Sequence, residues 1–132
     1  VFFTNYASAK GQQIDENPQV GLCYHWQPLH RQVRVTGVAV RLPAEQSDDY
    51  FGSRPRDAQL GAWSSPQWDE ATHRFPAEVP RPDTWGGYLV RPTSIEFWQG
   101  QPSRLHDRLL LTARGEGRLD EVSDWRVQRL AP

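Results

Sequence analysis

The segment Gln32-Val33-Arg34-Val35-Thr36-Gly37-Val38-Ala39-Val40-Arg41-Leu42 decides the fold. Val33, Val35, Gly37 and Ala39 alternate with Arg34, Thr36, Val38 and Val40, the period-two pattern that puts successive side chains on opposite faces of a strand. Both series carry apolar residues, which predicts a sheet with both faces at least partly covered. Upstream, residues 20–26 predict another strand, and residues 8–16 a short helix capped by Ser8 and stopped by Asn17-Pro18. Residues 1–4 read as a strand ending in a turn at Asn5.

Downstream, residues 43–51 and 57–63 predict two short helices, and residues 64–82, rich in proline and charge, an irregular surface excursion. Strands are predicted at 85–91, 94–98, 105–113 and 125–130, with Gly115-Glu116-Gly117 turning the chain between the last two. Strands joined by short connections and only small helices predict a mainly β fold. The natural architecture is a closed or partly closed antiparallel barrel with a few short peripheral helices, in a single domain over 1–132.

Only 37% of the 132 residues are hydrophobic, yet there are six Trp, four Tyr and five Phe. A few large rings must therefore supply much of the core, and a partner chain or bound cofactor is an expected contributor to stability. No run of about 18 apolar residues occurs, so no membrane-crossing helix is expected. The lone Cys23 excludes an intrachain disulfide, and with four His it leaves little for a structural zinc site. A net charge of -1 argues against nucleic-acid binding through bulk charge. The chain has no Met and opens inside the apolar run Val1-Phe2-Phe3, so further structure is expected upstream.

Several clusters bear on chemistry. In Arg104-Leu105-His106-Asp107-Arg108, strand geometry would put Arg104, His106 and Arg108 on one face, suited to an anion or an electron-rich ring. A solvated edge strand fits the same spacing. His106 and Asp107 would then point apart, and no G-x-S-x-G elbow occurs, which disfavours a serine-hydrolase triad. In Tyr50-Phe51-Gly52-Ser53-Arg54-Pro55-Arg56, a phenol and two guanidiniums near a helix end suit a phosphate, although a helix end closed by proline needs no ligand. Ser8-Ala9-Lys10-Gly11 offers helix N–H groups and an ammonium, a weak signal alone. Trp85-Gly86-Gly87-Tyr88 and Phe97-Trp98-Gln99-Gly100 combine rings and glycines that wall a planar cofactor or simply pack a core. Cys23 and His25 share a strand face without a third metal ligand, and neither a P-loop nor a G-x-G-x-x-G run is present.

Taken in order, Phe2-Phe3-Thr4-Asn5-Tyr6, Ser8-Ala9-Lys10-Gly11, Arg31-Gln32-Val33-Arg34-Val35, Tyr50-Phe51-Gly52-Ser53-Arg54-Pro55-Arg56, Gly61-Ala62-Trp63 and Val79-Pro80-Arg81-Pro82 form one series. Trp85-Gly86-Gly87-Tyr88, Glu96-Phe97-Trp98-Gln99-Gly100, Arg104-Leu105-His106-Asp107-Arg108 and Arg129-Leu130-Ala131-Pro132 complete it. The series resembles the pyridoxine/pyridoxamine 5'-phosphate oxidase family over nearly the whole chain. The resemblance implies an FMN-binding split β-barrel working as a cytoplasmic homodimer with shared active sites. It would oxidise pyridoxine or pyridoxamine 5'-phosphate to pyridoxal 5'-phosphate with O2, releasing H2O2. By the same resemblance Phe3, Thr4, Lys10, Gln32, Gln67, Trp98 and Arg108 contact FMN, and Tyr50 and Arg54 hold the substrate phosphate. Arg104 and His106, from the partner chain, lie over the pyridine ring as the catalytic pair.

The sequence departs from the family pattern in places. A front segment with an Arg and a Lys for the phosphates has no counterpart here, Ala58 stands at a usual Ser, Ala9 at a frequent Arg and Trp68 at a usual Ser. The stretch 68–75 is about a helix shorter than the family's. Two alternatives share most of these motifs: an FMN-dependent oxidase of phenazine biosynthesis, and a homologue that binds flavin or pyridoxal phosphate without turnover.

Overall fold

The computed structural model describes residues 1–63, 75, 77–115 and 117–132. Among them run β1 (Phe2–Asn5), α1 (Ala9–Glu16), β2 (Gln19–Trp26), β3 (Arg31–Arg41), α2 (Ala44–Ser53), α3 (Arg56–Trp63), β4 (Trp85–Gln99), β5 (Asp107–Ala113) and β6 (Trp125–Arg129). The strands follow the order β2-β3-β4-β5-β6, with β1 paired to β4. The chain divides into two compact units, one of residues 1–17 and 40–89, the other of residues 18–39 and 90–132.

In the first unit β1 pairs antiparallel with the start of β4, Phe2 opposite Tyr88 and Asn5 opposite Trp85. Helix α1 begins where its sequence says it should. The Ser8 hydroxyl oxygen accepts from the Gly11 N–H (3.2 Å), and the helix stops at Asn17, held extended ahead of Pro18. The core is Phe51, Leu60, Val79 and Trp85, with Phe3 and Trp63 packed on it. The chain returning to β4 is tied down by side chains: Arg56 donates to the carbonyls of Ala77 (2.6 Å) and Phe75, and Trp63 Nε1–H to that of Pro80 (2.6 Å). Tyr88, 1% exposed, donates to Asp15 Oδ1 (3.2 Å), whose other oxygen accepts from Arg41 (2.6 Å). Burial pushes the Tyr88 phenol above its ordinary range.

In the second unit β2 and β3 form a hairpin, Gln19 opposite Val38 through Trp26 opposite Arg31, and β4, β5 and β6 form a meander. His30 closes the hairpin in the left-handed region at φ 48°. Ile95 and Trp125 are buried here, and Trp125 Nε1–H donates to the Arg118 carbonyl (2.8 Å).

Both faces of β3 are at least partly covered, as its alternation predicts: on one, Gly37 and Ala39 are buried and Val33 and Val35 half-buried; on the other, Gln32 and Val38 are half-buried while Arg34, Thr36 and Val40 are exposed. Two expectations change. Residues 85–91 and 94–98 belong to one strand, β4, which runs through Pro92; where that residue has no N–H to give, the Thr93 hydroxyl donates to the Thr36 carbonyl of β3 (3.2 Å). Finally, β5 begins at Asp107, so Arg104 and His106 are not strand residues and no alternation aligns them with Arg108. Pro102–Arg104 make a 3₁₀ turn in which Ser103 and Arg104 take positive φ (58° and 61°), a backbone that cannot extend a strand. The 64–74 excursion, with Gln67, Trp68 and most of 68–75, lies outside the described residues, as does Glu116.

Candidate functional site

Groups suited to chemistry gather once in each unit. In the first, α2 ends because Arg54 precedes Pro55. Arg54 is forced extended (φ -76°, ψ 148°) while its amide still donates to the Phe51 carbonyl (3.2 Å). That turn swings the guanidinium over the Trp85 ring, 4.8 Å from its centroid. Phe3, Tyr50 and Trp85 lie nearly parallel: Phe3 is 3.9 Å from Tyr50 and 5.4 Å from Trp85 between centroids. Tyr50 remains 46% exposed, its hydroxyl without a partner among the described residues.

Arg54 Nη1 is buried and has no hydrogen-bond partner among the described residues. A buried N–H left unpaired is costly, and a charged one costs more, so the group is a donor set for an anion. Arg54 lines a cavity of about 980 Å³ with Asn5, Ser8, Ala58, Thr84 and Trp85. Residue 58 brings only a methyl group to that wall. Lys10, in the first turn of α1, has its ammonium 5.7 Å from the Phe2 ring centroid and no acidic partner among the described residues. Thr4 sits opposite Gly86 in the β1–β4 ladder.

In the second unit the chemistry lies on one sheet face. The Arg34–Glu96 ion pair and the Thr36–Ser94 hydroxyl contact (2.7 Å) place those residues of β3 and β4 on a common side. By alternation Gln32 and Trp98 join them, and Trp98 faces Arg108 across the β4–β5 ladder. Gln32, Trp98 and Arg108, expected together from the resemblance, thus share a face. His106 packs on Trp98 with ring centroids 4.9 Å apart, and its Nδ1 accepts from the Gln101 N–H (3.2 Å). With Nδ1 accepting, the neutral ring carries its proton on Nε2. Arg104 is exposed and has no side-chain partner among the described residues.

Glu96 is the residue whose role was not legible beforehand. Only 7% exposed, it accepts from Arg34 and from Arg108 Nε (2.8 Å). The Arg108 hydrogen bond, helped by Arg34, holds its carboxyl below the usual range against the burial that would raise it. The available signal was the acidic residue two before Trp98 on the same strand face. The glycines beside the rings serve packing, since a Cβ at Gly87 would meet Leu42 Cδ1 at 2.5 Å, and one at Gly100 would meet the Trp98 ring at 2.9 Å.

The opposite face of the second unit is apolar. Tyr24, Trp26, Phe97, Leu109 and Val127 project from it and are all exposed, Trp26 at 47%, Phe97 at 45% and Val127 at 60%. Among the described residues no helix is long and apolar enough to cross a membrane.

Fold and side chains together define an antiparallel β protein with two arginine clusters, one built on Arg54 with its unpartnered Nη1 and one on a face where Arg34 and Arg108 share Glu96. Residues 1–98 match the family model described as pyridoxamine 5'-phosphate oxidase, and residues 85–132 match the pyridoxine 5'-phosphate oxidase C-terminal dimerisation region. The chain belongs to the pyridoxine/pyridoxamine 5'-phosphate oxidase family. It is 48% identical to the protein so named from Salinibacter ruber (99% of this chain, 66% of the relative), and 49% identical to that from Polynucleobacter asymbioticus (99% and 65%). It is 47% identical to the Haemophilus influenzae protein (100% and 66%), so the chain spans just under two thirds of the length of these relatives.

Two solved structures share the fold. One is PhzG from Burkholderia lata in complex with tetrahydrophenazine-1-carboxylic acid (TM-score 0.86, 24% identity, 99% of this chain and 67% of that one). The other is a pyridoxamine 5'-phosphate oxidase-related, FMN binding protein from Nostoc punctiforme (TM-score 0.76, 18% identity, 99% and 72%). The mainly β, split-barrel expectation agrees with both.

Proposed function

We propose that this chain is the major part of an FMN-dependent oxidase that converts pyridoxine or pyridoxamine 5'-phosphate to pyridoxal 5'-phosphate, with O2 as acceptor and H2O2 as by-product. The observation that carries the reading is Arg54, whose buried, unpartnered Nη1 beside an open Tyr50 hydroxyl suits a phosphate monoester. Family membership supplies the reaction class.

Each unit carries groups that suit FMN. In the first, Lys10 is an uncommitted cation for a phosphate; in the second, Gln32 offers an amide for a ring edge and Trp98 an indole wall beside Arg108. When bound, FMN supplies the redox chemistry, taking the electrons removed from the substrate carbon and delivering them to O2. The side chains bind and orient. Arg54 and Tyr50 would fix the substrate's phosphate end, and, as the family resemblance implies, His106 and Arg104 of a second copy would lie over the ring being oxidised, His106 offering an Nε2–H. Nothing in this scheme requires a protein nucleophile.

A homodimer with shared sites belongs to the same reading. The exposed apolar face bearing Tyr24, Trp26, Phe97 and Val127 suits a second copy, and the match to a dimerisation region lies over its β4–β6 part. A cytoplasmic location is proposed with it.

Peroxide release in the presence of added FMN tests the assignment with three substrates: pyridoxine 5'-phosphate, pyridoxamine 5'-phosphate and a dihydrophenazine carboxylic acid. Turnover of the two phosphates and not of the third is expected. Turnover of the phenazine alone would instead support the second reading, which Ala58 and the likeness to PhzG favour. Stoichiometric FMN without any turnover would support a non-catalytic binder.

A further inference from the structure

We propose that Glu96 is a positioning residue for the cofactor, aiming the Arg108 guanidinium and leaving its outer edge free for FMN. The inference rests on the reading of Arg108 as an FMN contact and adds a residue to it. Glu96 sits on β4, 7% exposed, between Arg34 on β3 and Arg108 on β5. Its two oxygens are divided between them, Oε1 taking Arg108 Nε–H at 2.8 Å and Oε2 taking Arg34. Arg108 Nη1 donates to the Ala131 carbonyl at 3.1 Å. The guanidinium is thereby gripped through Nε and one Nη1 proton, and Nη2 with the second Nη1 proton has no partner among the described residues.

Net stability alone does not account for this triad. Buried ion clusters are commonly replaceable by apolar residues at no loss of stability, and the same face already accommodates Leu110, directly opposite Glu96 in the ladder. Pre-orientation does explain it. An arginine stem loses substantial rotamer freedom when it is fixed on a ligand, and a carboxylate that has already fixed it removes that cost from the binding step. Arg34, 53% exposed at its side chain, balances the charge and keeps Glu96 ionised.

The test is a double-mutant cycle read by FMN titration of the full chain, following quenching of flavin fluorescence. Glu96→Gln is expected to raise the FMN Kd about tenfold, the range of one charge-assisted hydrogen bond. In an Arg108→Ala background the same change is expected to shift Kd by no more than about twofold, because its target is gone. An additive effect in the double variant, or no effect in the single one, overturns the proposal. Glu96→Asp, which keeps the charge but withdraws it by one methylene, is expected to fold and to give an intermediate Kd; if both Glu96 variants unfold, the residue is scaffold and the proposal fails. Failure of the unmutated chain to bind FMN would instead remove the reading of Arg108 itself, whatever Glu96 does.

Discussion

Replacing Arg54 by Met separates what this residue does for the free chain from what it does for a ligand. In the free chain Nη1 is buried without a partner, a situation that costs about 1–3 kcal/mol. Met retains the aliphatic stem and its packing, and gives up the guanidinium stack on Trp85 (4.8 Å), worth about 0.5–1 kcal/mol. The balance favours the variant by about 1 kcal/mol, a rise in Tm of roughly 3–5 °C for a chain of this size. With pyridoxal 5'-phosphate added the order should reverse. The unmutated chain gains about 2.7 kcal/mol at a ligand concentration of 100 Kd. The variant loses a charge-assisted contact of about 1.5–3 kcal/mol, or roughly ten- to hundredfold in Kd. Differential scanning fluorimetry of both chains, with and without ligand, reads all four numbers. A ligand-free Arg54→Met chain that melts lower than its parent would show that Nη1 is satisfied, and a retained ligand shift would show that Arg54 does not hold the phosphate.

Glu96 carries a pH signature: its folded pKa lies below the ordinary value of 4.5, so its stabilisation is complete above that value and drains away as pH falls through the lower folded one. Melting curves between pH 7 and pH 3 should therefore fall less steeply for Glu96→Gln than for the parent, and parallel acid limbs would refute the ion triad. Gly37→Ala should destabilise by about 2–3 kcal/mol, because the new Cβ falls on the Arg91 carbonyl and within 2.9 Å of Pro92 Cα, backbone on both counts. Gly21→Ala, with nothing within 4 Å, is the control and should stay within about 0.5 kcal/mol in urea denaturation; equal midpoints would reject the packing argument. Ala58→Ser adds a hydroxyl to the cavity wall that Arg54 shares, and should lower KM for pyridoxine 5'-phosphate about fivefold, the scale of one hydrogen bond, with kcat unchanged. An unchanged KM would place residue 58 away from the phosphate.

The elements legible in the sequence were those whose signals are local. Ser8 and Asn17-Pro18 bracket α1 because a cap and a pre-proline residue act within one turn, and the alternation in β3 is visible because each residue reports its own face. What escaped was decided at a distance. Pro92 reads as a strand break until Thr93 is seen bonding β3, and Arg104-Leu105-His106-Asp107-Arg108 reads as one strand until the backbone turns through two positive-φ residues. Type and spacing alone left Tyr50 and Arg54 readable as a plain helix end, and only the resemblance makes them a phosphate pair; the buried Nη1 lies by the Trp85 ring, thirty-one positions further on, which no local pattern announces. Glu96 shows no task in its own stretch of sequence, because a carboxylate declares its role only through the guanidiniums that neighbouring strands bring to it.

The period of two that identified β3 also explains how a thin apolar supply serves two purposes. On β3, β4 and β5 the residues Gln32, Arg34, Glu96, Trp98 and Arg108 occupy one face, while Val33, Phe97 and Leu109 occupy the other. Slipping any one of these strands by a single residue would turn a charged side chain into the apolar face and an apolar one into the polar face. The register is thus constrained from both sides: by the apolar set, which the proposed dimer would cover, and by the Arg34–Glu96–Arg108 contacts that close only when three strands are aligned. An ion triad that adds little net stability can still select one alignment over its neighbours, since every slipped register leaves a carboxylate buried without its cations. On this view the cofactor face and the apolar face constrain each other, and changes to Glu96 should be felt as loosened pairing of β3, β4 and β5 as well as in the aim of Arg108.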